Sequence, residues 1–346
     1  MTPDSGPVSY SSSEVPGMGA AFPARRMRRL RRTPALRRMV AETTLTVDDL
    51  VAPLFVSEAA ESPVPISSMP GQVQHSLASL VAECTRLAGL GVPGVMLFGL
   101  PSSKDPEGSG AWNPDGIVQV ALAEVRLAVG DSLVVMADLC LDEYTDHGHC
   151  GVLDARGSVD NDATVERYQR VALAQASAGV DVVAPSGMMD GQVAQIRAAL
   201  DSGGFTEVAI LAYAAKYASA LYGPFREAAA VTIAGGGDRR SYQQDPRNRR
   251  EALTEVALDI SEGADMVMVK PAMSALDVLA DIAAVADVPV AAYHVSGEYS
   301  MVKAAAAKGW IDGPAVALEH LTAIKRAGAT AVLTYFAAEV AEALDG

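Results

Sequence analysis

Two lysines occupy positions where an amine can do chemistry. Lys270 closes the run MVMVKP, directly after four apolar residues, and Lys216 follows the apolar run VAILAY (208–213). An ammonium group at the end of a buried strand loses hydration, which disfavours its charged form and lowers its pKa. The free amine attacks carbonyls, and a second cationic lysine nearby adds to the effect. The pair reads as Schiff-base chemistry. A structural role for either lysine would need a buried carboxylate partner.

A second group of reactive side chains lies in DLCLDEYTDHGHC (138–150), which holds Asp138, Cys140, Asp142 and Cys150. Thiolate and carboxylate are both Zn²⁺ ligands, and three protein ligands leave a coordination position open. The spacing leaves alternatives: His147 and His149 could ligate or orient from behind the ligands, or the cysteines could be plain reduced thiols. The third group is basic: Arg226 in YGPFR, with Arg239 and Arg240 in GDRRSYQQ. Guanidinium forks suit bidentate carboxylate binding, although Arg240 reads equally well as a surface residue.

These groups need elements to position them. Eight short, continuously apolar runs begin with VAPLFV (51–56) and GVMLF (94–98) and continue with LVVMAD (133–138), DVVAP (181–185) and VAILAY. MVMVK (266–270), PVAAYHV (289–295) and AVLTYF (331–336) complete the set. Such runs suit parallel strands covered on both faces, and helical patterns such as SLASLVAECTRLAGLG (76–91), with Cys84 as core, separate them. Eight strand–helix alternations predict a (β/α)₈ TIM barrel, an α/β fold. In that fold catalytic groups come from the C-terminal ends of strands. The rule selects Asp138, Ser186, Lys216, Lys270, His294, Ser296 and Tyr335. The stretch from Tyr217 to about Gln244 breaks the rhythm and reads as a lid. Gly235–Gly237 does not follow a strand in the dinucleotide-binding arrangement.

Composition bounds the rest. The 346 residues are half hydrophobic, ample for a large core, with no long uncharged apolar run to span a membrane. Three cysteines without a secretory signal favour a reducing, cytoplasmic setting. The net charge of −15 argues against nucleic-acid binding. Eight arginines crowd into residues 25–38, which makes an acidic body with a basic arm. The arm could lie against its own body or a neighbouring subunit; a solvated tail and a nucleic-acid patch are the alternatives. The expected organisation is a disordered leader (1–22), a basic arm (23–49) and a catalytic barrel (50–346).

With these residues assembled, the chain resembles the porphobilinogen synthase (5-aminolevulinate dehydratase) family from about Arg28 onward. The strings that carry the resemblance are DEYTDHGHCG (142–151), VDNDAT (159–164), APSGMMDGQV (184–193) and AKYASALYGPFREAA (215–229), with GDRRSYQ (237–243), MVKPA (268–272), YHVSGEY (293–299) and TYF (334–336). The resemblance implies condensation of two 5-aminolevulinate molecules to porphobilinogen with loss of two waters, for heme and other tetrapyrroles. It implies that Lys270 holds the first substrate as a Schiff base and loads first, and that Lys216 holds the second. Ser296 and Tyr335 would bind the first carboxylate, Arg226, Arg239 and Gln243 the second, and Asp138 would assist proton transfer. It also implies zinc at Cys140, Asp142 and Cys150, an allosteric Mg²⁺ at Glu255, and a homo-octamer whose arms wrap neighbouring barrels. One departure stands out. The zinc-dependent branch usually has Cys-x-Cys-x₇-Cys, whereas Asp142 fills the middle position here, which predicts a harder site holding Zn²⁺ less tightly. The rival readings are a class I aldolase, a catalytically dead scaffold barrel and a zinc hydrolase.

Overall fold

The computed structural model describes residues 22–234 and 237–345, so the leader expected over 1–22 lies outside the described residues except for Phe22. The chain divides into two units between Thr44 and Leu45. In the first, Met27–Arg31 winds as a 3₁₀ turn and Pro34–Met39 as a short α-helix. Thr33 caps that helix by accepting from the Leu36 N–H at 3.2 Å, with proline in the first turn where no amide is needed.

The second unit is built on ten strands: β1 (Leu50–Ser57), β2 (Val64–Pro65), β3 (Val73–His75), β4 (Gly94–Leu100), β5 (Val134–Leu139), β6 (Val182–Pro185), β7 (Ala209–Lys216), β8 (Met266–Lys270), β9 (Val290–His294) and β10 (Ala331–Thr334). All eight apolar runs are strands. They pair in parallel with their neighbours, and β10 returns to β1 through Leu50↔Val332 and Val51↔Leu333, closing the (β/α)₈ barrel. The pair β2–β3 is additional, its residues being too few to register as a periodic pattern. It extends the sheet beside the C-terminal half of β1 through Phe55↔Gln74.

Polar residues fix the frame at its ends. Asp181 accepts from the Val135 N–H and Asp265 from the Ile210 N–H, each at 2.8 Å, pinning adjacent strands at their starts. Asp160 and Asp312 cap the helices Asn161–Ser177 and Gly313–Arg326 through backbone N–H groups three residues on. Among the described residues, no helix is long and apolar enough to cross a membrane.

One local irregularity matters for the site. The sequence pattern ends the fifth run at Tyr213, with Lys216 beyond it, yet β7 continues to Lys216. A register shift between Ala212 and Ala215 absorbs an extra residue, as a bulge does, and pairing with β8 then resumes. Lys216 and Lys270 thereby become register partners on adjacent strands.

Candidate active site

The C-terminal ends of the strands enclose a cavity of about 20 Å³, lined by Asp138, Asp142, Glu143, Lys216, Lys270 and Arg239, with Phe225 and Arg226 over them. Both lysines are buried. The Lys270 ammonium nitrogen sits 4.3 Å from the Tyr293 ring centre and 5.1 to 5.3 Å from those of Tyr213, Tyr222 and Phe225. Burial, followed by the charge of Lys216, pushes its pKa down from 10.5 to about 7. The Lys216 amine donates to the Ser186 carbonyl at 2.5 Å. Ser186 Oγ in turn donates to Asp138 Oδ2 at 3.2 Å, while Asp138 Oδ1 has no protein partner. Burial raises Asp138 to about 6, against the pull of Lys216. A carboxyl poised there can give and take protons near neutrality.

Beside the lysines, single ligand atoms of Cys140, Asp142 and Cys150 lie within 4.8 Å of one another, all three residues buried. The two thiols form an unequal pair. A hydrogen bond from Cys140 holds Cys150 below its ordinary range, and burial pushes Cys140 well above it. Burial opposes ionisation of Asp142, but Arg239 and then Lys216 hold its carboxyl below the usual carboxylate range. Two thiols, one easier to ionise than the other, and an ionised carboxylate suit a divalent metal, so this buried group can bind one. A second set of ligand atoms, from Asp138, Cys140 and Glu143, is equally close.

The two histidines of the loop are engaged elsewhere. His147 Nε2 meets the Pro106 carbonyl at 3.2 Å, and His149 Nδ1 meets the Tyr242 hydroxyl at 3.2 Å. Neither belongs to a close ligand cluster among the described residues.

The remaining expected residues are unequally placed. Arg239 is buried, and its Nη2 donates to Asp142 Oδ2 at 2.8 Å and to the Gly148 carbonyl at 2.9 Å. Gln243 follows one turn later, also buried. Arg226 is exposed and makes no ion pair among the described residues, leaving its guanidinium available to an anion. Ser296 and Tyr335 do not line the cavity. Ser296 Oγ accepts from the Phe225 N–H at 3.0 Å, and the Tyr335 hydroxyl bonds that of Tyr293 at 2.9 Å. Glu255 stands apart on the helix Arg250–Ser261, half-buried beside Asp190 and Glu251 in a surface pocket. Among the described residues, no cluster of three ligand atoms forms around it.

His294, selected by the strand-end rule, turns away. It is fully buried between Thr334 Oγ1 at 3.3 Å and His320 Nδ1 at 3.1 Å, and burial pushes its pKa to about 3. Sequence reasoning passed over Glu143 and the aromatic wall of Tyr213, Tyr222, Phe225 and Tyr293. Glu143 is 2% exposed, with its Oε1 unpartnered, and burial raises its pKa well above the carboxylate range. Its only signal was adjacency to Asp142.

The stretch expected to be a lid does cover the mouth. It carries a 3₁₀ turn (Ala220–Tyr222) and the helix Gly223–Ala228, which brings Phe225 and Arg226 over the lysines. Gly235 and Gly236 lie outside the described residues. The stretch docks on the Cys140–Cys150 loop through Ala234 N–H to the His147 carbonyl at 3.0 Å. Gly148 makes that docking possible, because its φ is +71° and a Cβ there would collide with the Thr232 carbonyl.

A closed barrel whose mouth gathers two buried amines, two thiols and ionisable carboxyls defines an enzyme of carbonyl chemistry. Comparison with known proteins gives the family. The family profile of delta-aminolevulinic acid dehydratase matches residues 24–343. The delta-aminolevulinic acid dehydratase of Streptomyces coelicolor is 60% identical over 326 residues, covering 94% of this chain and 98% of that one. Its Mycobacterium tuberculosis counterpart is 57% identical, covering 93% and 98%. The crystal structure of the Toxoplasma gondii enzyme, in complex with the reaction product porphobilinogen, superposes with a TM-score of 0.89 at 45% identity, covering 92% of this chain and 91% of that one. The chain belongs to the delta-aminolevulinic acid dehydratase (porphobilinogen synthase) family. Its activity is that of this hydro-lyase, a step of tetrapyrrole biosynthesis.

Replacing Gly148 by alanine should lower stability by about 1–3 kcal/mol, since both backbone strain and the Thr232 carbonyl oppose it. Urea denaturation measures the loss. An unchanged midpoint would show that the lid does not depend on this close approach.

Proposed function

We propose that two 5-aminolevulinate molecules are joined here through Schiff bases, the first on Lys270 and the second on Lys216. The observation that carries this reading is the pair of buried register-partner lysines, one of them held near neutrality by burial. The Lys270 amine adds to the keto carbon of one substrate and water leaves, giving an imine. Lys216 does the same with the second. Protonation of an imine acidifies the adjacent carbon, and loss of a proton there gives an enamine whose carbon can form the new bond. Asp138, adjacent and raised to about 6, is the group we assign to these transfers. Two covalent anchors also turn an encounter of identical molecules into an oriented intramolecular step. The enamine carbon bonds to the imine carbon of the other substrate, whose lysine then leaves with a proton from the adjacent carbon. The free amino group displaces the remaining lysine as it closes the pyrrole ring, so only the two waters of imine formation are lost overall.

Carboxylate recognition is assigned to Ser296 and Tyr335 for the first substrate, and to Arg226, Arg239 and Gln243 for the second. The cavity of about 20 Å³ has room for little more than one water, so the Phe225–Arg226 segment must lift to admit substrate. Ser296, now bonded to the Phe225 amide, becomes available in the same movement.

Cys140, Asp142 and Cys150 would hold Zn²⁺, which supplies Lewis acidity or a bound hydroxide when present. Glu255 is proposed as a ligand of an allosteric Mg²⁺ completed at a subunit contact, and the basic arm as the element that joins subunits into an octamer.

Borohydride reduction with 5-aminolevulinate, followed by peptide mass analysis, should place the adduct on Lys270. Its absence there would overturn the mechanism. Exhaustive dialysis against a chelator should abolish porphobilinogen formation, and added Zn²⁺ should restore it. Full activity in demonstrably zinc-free protein would remove zinc from this account.

A further inference from the structure

Asp142 has two claims on it. Its Oδ2 accepts from Arg239 Nη2 at 2.8 Å, in a bridge whose side chains are 4% and 9% exposed. The same carboxylate lies with the Cys140 and Cys150 thiols in the ligand cluster. A carboxylate has two oxygens, so the two claims can be met together. Arg239 also retains an unpartnered buried donor, Nε, and Gln243 has another in Nε2. The two residues are joined by the Gln243 N–H to Arg239 carbonyl bond at 2.9 Å, which puts both orphan donors on one turn of chain. Buried donors without acceptors are costly, and a carboxylate could satisfy both.

We infer that Asp142 is a positioning residue that bridges metal and substrate. One oxygen serves the metal ion while Oδ2 holds Arg239, whose Nε, with Gln243 Nε2, receives the carboxylate of the substrate on Lys216. This rests on the carboxylate assignment made above. Metal bound to Asp142 draws charge from the oxygen facing Arg239, leaving the guanidinium less neutralised and fixed in place for an incoming carboxylate. A carboxylate on Arg239 likewise loosens the guanidinium's hold and makes Asp142 a better ligand. Linkage requires the two effects to be equal. A cysteine at this position could ligate metal but could not accept a strong hydrogen bond from Arg239 at the same time.

The test is the zinc dissociation constant of the full-length protein, from competition with a chromophoric chelator, with and without saturating 4-oxopentanoate. This keto acid keeps the carboxylate and lacks the amine. The wild-type chain should bind zinc at least about fivefold more tightly with the keto acid present. The amide 4-oxopentanamide should produce no tightening. Asp142→Cys should retain zinc yet lose the dependence on keto acid, as should Arg239→Lys, which keeps the charge but not the fork. Equal tightening in the wild type and Asp142→Cys would overturn the bridge, because the effect would then be through-space charge alone. So would absence of tightening in the wild type while borohydride traps the keto acid on Lys216, whose substrate the bridge serves; the Schiff-base mechanism would survive that result. If Lys216 is never modified, the bridge falls with the carboxylate assignment it rests on, and if Lys270 is also unmodified the Schiff-base mechanism falls too.

Discussion

Two ammonium groups side by side in a buried mouth repel each other and are starved of water, and the rest of the site follows from that conflict. Register pairing of β7 and β8 fixes the two lysines together, so neither can retreat without unzipping the barrel. One response is deprotonation, and Lys270, walled by four aromatic rings, takes it. The other is local compensation: the Ser186 carbonyl accepts from Lys216, with Asp138 one hydrogen bond further on. The barrel supplies this cheaply, since its strand ends converge and its helices pack elsewhere.

The same scarcity of water links the amines to the metal-ligand loop. Against burial, Arg239 and then Lys216 hold the Asp142 carboxyl below the usual range, while burial, followed by the charge of Asp142, raises Glu143 well above it. Thiols, carboxyls, lysines and the guanidinium therefore form one electrostatic assembly. Asp142 does more than join the ligand cluster: through its bridge to Arg239 it ties the loop to the lid.

Much of this was legible in the sequence, for identifiable reasons. The strands declared themselves because continuous apolar runs have few other uses in an α/β chain, and Lys270 did so because it ends one. Lys216 was recognised, but its place on β7 was not, because a bulge is a property of two strands and leaves no mark in one. His294 was misjudged for a related reason. In a strand buried on both faces, Tyr293 and His294 look equivalent, and only the closed barrel decides that Tyr293 faces Lys270 while His294 packs against His320. The Asp142–Arg239 bridge joins residues 97 positions apart. Nothing in the sequence pointed to that pairing, and only the folded lid shows it.

The central claim is that Lys270 is a free amine near neutrality because it is buried beside Lys216. The most direct test is a ¹³C NMR titration of the Lys270 ε-carbon in the ligand-free protein, with the resonance assigned by loss in Lys270→Arg. A midpoint near 7 is predicted, well below the ordinary lysine value of 10.5. A midpoint near 10 would contradict the account, because Lys270 would then be an ordinary ammonium near neutrality.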